Sequence, residues 1–504
     1  MIKRLLSLLV ASVILLSCTS AFAELKNTDP ITITMLNRVN AEVVFEGNAM
    51  LEAVAERTGI TLQIDAPPIS NYTDRLQVVM ASGDLPDLIY TWDFDTKYEK
   101  WAEDDLVWAL DDFIEAYPNL MSNITKPMWE RARASSTGKI HAVPRPCGSA
   151  RWGVISNQEW LETLDSTMPT NLDELYEYGK KVATMDPDGN GKDDTFLFSP
   201  YGLWADVWLI SAFVPFPNVA TGLVQGLPDT DGEYKVLERM SGYYPYLEYM
   251  RKLYSEKIID PEFFANKYYD DRTKFQQNRV AMVHGGAGNI AEYTKDVSNA
   301  MEIYKFNAPM IGEDQTQPVN YQESSVWGGW MISKDVDEEK LDRILSFLDW
   351  CNSEEGFILT TAGVQGIDYE SYDFATRTLI KTDEQMATSK LDLSSYMSFA
   401  WALDGQMVSP SDTPEKIAFC NEEIEAYDAI VKTIQCPTIS LASYTSWPSE
   451  HPDLVSKKKE MEVKYVVGEI ELEDLQSFID EEWLPAIADV EQEYIAYMQT
   501  YDAQ

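Results

Sequence analysis

The chain has 504 residues, with 83 acidic side chains against 40 basic ones and a formal charge of −43. That length exceeds one ordinary hydrophobic core, so two lobes are expected. The acidic field repels phosphate backbones and anionic lipid, which argues against a nucleic-acid partner, and three histidines with no CxxC argue against zinc.

The N-terminus reads as an export signal. Lys3 and Arg4 precede the apolar run Leu5 to Leu16, and Ala21-Phe22-Ala23 offers a small-x-small cleavage site, giving a leader over 1–23. The run is shorter than the roughly 20 residues a membrane span needs. Leu15-Leu16-Ser17-Cys18 offers a second reading, a lipobox with lipidated Cys18 as the mature N-terminus. Both readings take the chain out of the cytoplasm. Export permits disulfides among Cys147, Cys351, Cys420 and Cys436, but spacing leaves their connectivity open, and buried thiols serve equally well.

Ile31 to Met35 alternates as a strand; Asn48 to Arg57 reads as a helix closed near Gly59; Ile60 to Ile64 alternates again. Tyr72, Leu76, Val79 and Met80 share a helical face, and Leu88-Ile89-Tyr90 is a buried-strand candidate. This order predicts a parallel sheet with right-handed crossovers, in which ligands bind beyond the carboxyl ends of the strands. Asn37, Arg38, Trp92 and Asp93 stand there.

A second α/β region is predicted from about Gly153. Thr170 is the expected N-cap of a helix with Asp173 in the capping-box position, and Arg279 to Val283 is a further strand candidate. Gly286 to Ala291 matches GxGxxA, but mid-chain in an exported protein it reads as a tight strand-to-helix turn rather than a dinucleotide site. Leu341, Ile344, Leu345 and Leu348 give one amphipathic face, and the chain is largely helical by pattern after Pro414.

Asp186 to Asp194 carries the strongest local chemistry. Asp186, Asp188, Asn190 and Asp194 place side-chain oxygens at positions 1, 3, 5 and 9 of an EF-hand-like loop, Gly191 stands at the sharp turn, and Lys192 offers its carbonyl at position 7. Position 12 is Leu197, so the loop is not a complete EF-hand. The spacing predicts a structural calcium site.

Fourteen tryptophans suit a saccharide ligand, whose C–H face is apolar and whose hydroxyls need directional partners. For any single tryptophan, core packing competes. Trp92, after a strand end, and Trp327, before two glycines, are the favoured platforms, with Trp204, Asp206 and Trp208 as a second cluster. GxSxG and HExxH are absent, and no carboxylate pair singles itself out among 83, so no catalysis is expected. An exported glycoside hydrolase is the alternative of a different class; a non-sugar ligand such as a peptide is the alternative within binding.

Several segments in fixed order resemble the family 1 extracellular solute-binding proteins of bacterial ABC importers. They are Ala81 to Asp87 (ASGDLPD), Lys139 to Pro144, Glu159-Trp160-Leu161 with Pro169-Thr170, Asn278 to Asn289, Trp327 to Ser333, Ser353 to Gly356 and Gly363 to Tyr369. The long branch containing alginate-oligosaccharide binders is the most similar. The resemblance implies two doubly wound α/β lobes joined by a hinge, lobe one over 31–150 plus 308–375 and lobe two over 151–307 plus 376–504. It implies a monomer that closes on ligand and docks on a membrane permease. Arg145 and Arg151 then flank the first crossover between lobes, where a cation could hold a hydroxyl or carboxylate. Related binders close a similar calcium loop with an acidic residue just after the position-9 aspartate, where Thr195 stands here.

Overall fold

A computed structural model of the chain describes residues 25, 27–37, 45–67, 71–92, 94, 96–146, 151–215, 227–267, 270–290, 299–322, 326–373, 378–382, 384–385, 414–436 and 441–502. The leader over 1–23 with Cys18 lies outside them, as do Arg38, Asp93 and Cys147, and Trp327 is described by its backbone alone.

The strands in the first part of the chain are β1 (Ile31–Leu36), β2 (Ile60–Asp65), β3 (Leu88–Thr91), β4 (Arg133–Ala134), β5 (Lys139–Ile140) and β6 (Val143–Pro146). Then follow β7 (Gly153–Asn157), β8 (Met282–Gly285), β9 (Tyr304–Asn307), β10 (Val319–Gln322) and β11 (Val326–Ile332). The last are β12 (Ser371–Asp373), β13 (Thr378–Ile380) and β14 (Lys432–Gln435).

The first sheet has the order β2-β1-β3-β11-β6. β1 pairs in parallel with β2 and β3, as the strand–helix–strand reading requires, because a helix carries the chain back each time. The helix Ala49–Thr58 is capped by Asn48, whose side chain accepts from the Met50 and Leu51 amides, and it buries Met50 and Val54. The helix Tyr72–Ser82 buries the predicted face of Tyr72, Leu76, Val79 and Met80. β11 arrives from far downstream in the sequence and runs antiparallel to both β3 and β6. The helix Glu338–Cys351, capped by Asp337, follows and buries Leu341, Ile344, Leu345 and Leu348 in the same core.

The turn Ala81 to Asp87 has a structural explanation. Asp87 accepts hydrogen bonds from the Thr34 amide at 2.7 Å and hydroxyl at 2.9 Å, and Lys340 pairs with it at 2.7 Å. The Asp87 carbonyl accepts from the Ser333 amide. One residue thus ties β1 to the helix after β11 through its carboxylate, and holds the end of β11 through its carbonyl.

In the second sheet, β8-β7-β9, β7 is antiparallel to both neighbours. Its neighbours follow the helices Asp270–Gln276 and Ala300–Ile303, whereas β7 follows the crossover out of β6 and enters from the opposite edge. Successive residues point to opposite faces, and each face has its own core. Val154 joins Leu175, Leu247 and Trp483 on one side; Ile155 joins Phe275, Phe306 and Tyr427 on the other.

The first sheet's core draws on residues 33–143 and 330–351, and the larger core of the second region on 154–310 and 444–498. Met310 stays with the second region, its amide donating to the Trp208 carbonyl, and the Ile311 amide donates to Thr170. The return crossing therefore begins later than residue 308. It passes through β10, which pairs in parallel with β14 beside the start of β11. A one-residue shift also separates expectation from structure at the helix Leu172–Thr184. Asn171 rather than Thr170 is the N-cap, and Glu174 rather than Asp173 reaches back to the Thr170 amide.

Candidate functional site

β1 and β3 end at Leu36 and Thr91, β6 ends at Pro146, and antiparallel β11 begins at Val326, so these positions share one edge of the first sheet. Asn37 is fully buried there, its amide donating to the Asp65 carbonyl at 3.0 Å. Trp92 is half-buried and meets Tyr72 and Tyr90 edge-on, with ring centroids 6.3 and 5.9 Å away. Arg145 is buried within β6. The backbone at Trp327 stands on the same edge, in a register shift between Val326 and Gly329. Gly328 makes that shift work: its φ is +69°, and a β-carbon would lie 1.9 Å from the Thr91 carbonyl oxygen.

In the second sheet Gly153 opens β7 opposite Gly285, the end of β8, while Asn307 at the end of β9 stands opposite Val154. Trp152 therefore sits at that edge, its ring 4.9 Å from His284. The helix Asp270–Gln276 runs back along β8, which brings Asp271 in its first turn to the same end. Asp206 lies close enough to feel the Asp271 charge: burial first, and that charge second, push its carboxyl up to about 7. Burial and then the Arg272 charge hold the His284 imidazole down at about 3, so the ring is neutral.

Seven peptide steps join Pro146 to Gly153, so the two edges are at most about 25 Å apart. Arg151 in that crossing makes a two-point ion pair with Asp428, at 2.8 and 2.7 Å, and Tyr427 donates to the Trp152 carbonyl at 2.8 Å. Both partners belong to the helix Pro414–Ile430, which braces the crossing.

The predicted lobe-two tryptophans need correction. Trp208 has no exposure; its indole N–H donates to Asp206 at 3.0 Å and its ring meets Phe198 edge-on, so it is a core residue. Trp204 is nearly buried, stacked on Tyr243 and packed against Tyr246. Clustering with Asp206 in sequence reflected a shared helix start, the short helix Val207–Ile210. Asp271 and His284 carried no signal: one is an acid among 83, the other a histidine without triad context.

The loop 186–194 is exposed and folds on itself. The Asn190 amide nitrogen donates to Asp188 at 2.7 Å and to Asp194 at 3.0 Å, so two carboxylates converge on one point. The Gly191 amide donates to Asp186 at 2.8 Å, and φ of +68° and +76° at Gly189 and Gly191 turns the chain. Burial and the neighbouring Asp186 and Asp194 charges raise the Asp188 carboxyl, a repulsion that a cation would relieve. Among the described residues no three His, Cys, Asp or Glu side chains stand as a ready metal cluster. The donor set would suit calcium with the Asn190 side chain turned so that its oxygen, like the two carboxylates, faces a shared cation.

Residues 46–356 match the family model described as bacterial extracellular solute-binding protein. Lipoprotein LipO of Bacillus subtilis (strain 168) is 26% identical over 405 residues, 76% of this chain and 77% of that one. The polygalacturonan/rhamnogalacturonan-binding protein YtcQ of the same strain is 26% identical over 431 residues, 83% and 82% of the two chains. The crystal structure of the Streptococcus pneumoniae ABC-transporter substrate-binding protein FusA with kestose has a TM-score of 0.69 at 18% identity, covering 94% of this chain and 100% of that one. The fold is thus the two-lobed α/β form of these proteins. No helix among the described residues is long and apolar enough to cross a membrane.

Proposed function

Because the chain belongs to the bacterial extracellular solute-binding proteins, we propose that it captures an oligosaccharide outside the cytoplasmic membrane and delivers it to an ABC importer. The observation that carries this is the pair of sheet edges, one bearing Asn37, Trp92 and Arg145 and the other Trp152 and His284, bridged by short crossing segments. Relatives named for polygalacturonan, rhamnogalacturonan and fructooligosaccharide binding support a sugar ligand. Aromatic rings beside polar groups suit sugar faces and hydroxyls. Rotation of the lobes about the crossings would then present the closed form to the permease. Mass spectrometry of solute released from the purified protein should find an oligosaccharide in near-stoichiometric amount. A peptide there, or cleavage products accumulating from an added oligosaccharide, would contradict the proposal.

We also infer that Asp186, Asp188, Asn190 and Asp194, with the Lys192 carbonyl, hold a structural calcium ion. Calcium supplies charge neutralisation that lets the carboxylates stay close. At a hundredfold excess over Kd it should stabilise the native state by about 2.7 kcal/mol relative to chelator. Asp188→Asn should remove that difference, whereas identical melting midpoints of the wild type with and without calcium would refute the site.

A further inference from the structure

The second-sheet edge holds polar atoms that have no hydrogen-bond partner among the described residues. Asp206 and Asp271 are only 6% and 5% exposed, yet Asp206 Oδ2 and Asp271 Oδ1 make no hydrogen bond among the described residues. His284, 8% exposed, leaves Nδ1 equally without a partner. An unsatisfied buried carboxylate oxygen is costly, and the Asp271 charge acting on Asp206 adds to that cost. Packing does not require them: Trp208 engages the other Asp206 oxygen, and Oδ2 remains. Their position gives a reason for keeping them. His284 near the end of β8 stands against Trp152, where the chain enters from the first lobe, Asp271 lies in the first turn of the helix before β8, and Asp206 is close enough to Asp271 to feel its charge.

We propose that Asp206, Asp271 and His284 form an acceptor subsite on the second-lobe wall of the cleft, selecting an uncharged, hydroxyl-bearing sugar over a uronate. The proposal rests on the saccharide reading above. Carboxylate oxygens accept hydroxyl protons, and these charge-assisted bonds are about twice as strong as neutral ones. A uronate would instead bring a third carboxylate to the pair. The nearby cations do not reverse this. Arg145 belongs to the first edge, Arg151 is matched by Asp428, Arg272 is a single charge acting on Asp271 and His284, and His284 is neutral. The edge keeps a net negative charge, which discriminates by repulsion as well as by attraction.

Calorimetric titration of the full mature protein tests this, with kestose, maltotriose, galactotriose and xylotriose as neutral probes and trigalacturonate and trimannuronate as uronates. At least one neutral probe should bind, and both uronates should bind at least about tenfold more weakly. Asp206→Asn and Asp271→Asn should each lower affinity for the neutral probe about 10- to 100-fold. Their melting midpoints without sugar should stay level or rise, because each change replaces a buried acid that has an oxygen without a partner among the described residues. Uronate binding as tight as neutral binding would overturn the selectivity while leaving the saccharide reading intact. Unchanged affinity in both Asn variants, with lowered melting midpoints, would place the pair in the architecture and not in the cleft. Binding of no probe from either class would defeat the saccharide reading and this inference together.

Discussion

Lys458→Ala should cost about 3–5 kcal/mol of stability in the second lobe, the scale of breaking a buried ion pair by removing one partner. Lys458 sits in the helix Pro452–Val466, with its ammonium 2.5 Å from Glu238 and 3.4 Å from Glu462, and all three side chains are buried. Tyr243 donates to Glu462 at 2.8 Å, and the ammonium stands 4.9 Å from the Trp483 ring. Burial works against the Lys458 charge, but Glu238 and Glu462 outweigh it and raise its pKa. Removing the amine leaves two buried carboxylates with no cation between them, so their repulsion adds to a desolvation cost that is no longer offset. The triple change Lys458→Met, Glu238→Gln, Glu462→Gln should recover most of the loss, since buried pairs are replaceable by neutral groups of similar volume. Denaturant melts followed by tryptophan fluorescence check both. A loss below about 1 kcal/mol, the range of exposed pairs, would mean the cluster is hydrated.

Trp208→Ala and Trp92→Ala should separate into opposite phenotypes. Trp208 is enclosed between Phe198 and the core of the second region, so truncation opens a cavity and should cost about 3–5 kcal/mol of stability. It also strips Asp206 of the indole N–H that donates to its carboxyl, which adds to the cost. Trp92 is half-buried against Tyr72 and Tyr90 at a sheet edge. Its truncation should weaken ligand binding by about 1–3 kcal/mol, with a smaller effect on the fold. Paired denaturant melts and titrations read the contrast. A large stability loss in Trp92→Ala with unchanged affinity would put Trp92 in the core.

These two tryptophans also show how far the sequence could be read. The position of Trp92 at a sheet edge was legible because periodicity located β3, and the carboxyl end of a parallel strand is a position that local pattern specifies. The same logic found Asn37. Trp208 was misread because an aromatic beside an acid has the same composition whether it lines a cleft or a core; only the packing of Phe198 and Met310 around it decides. The first sheet's parallel half was visible in alternation and helix faces. Its antiparallel half was not, since β11 joins β3 and β6 across a large sequence separation and carries no local sign of direction. β7 was similarly hidden, because its antiparallel course follows from the short crossover that feeds it. Gly328 was visible only as one of two adjacent glycines; the Thr91 carbonyl it accommodates is a tertiary fact. The ASGDLPD turn marked kinship, and its chemistry as the clamp between Asp87, Thr34 and Lys340 needed coordinates. Asp271 and His284 reach the second edge only through the folding of the helix Asp270–Gln276 against β8.

Capture of a sugar between two lobes, without chemical change, is tested most directly by titrating the protein with the oligosaccharide it releases, combined with solution scattering and recovery of the sugar. One sugar should bind per chain, the radius of gyration should fall on saturation as the lobes close, and the sugar should be recovered intact. Saturable binding with no contraction, or recovery of shortened sugar, would contradict the account.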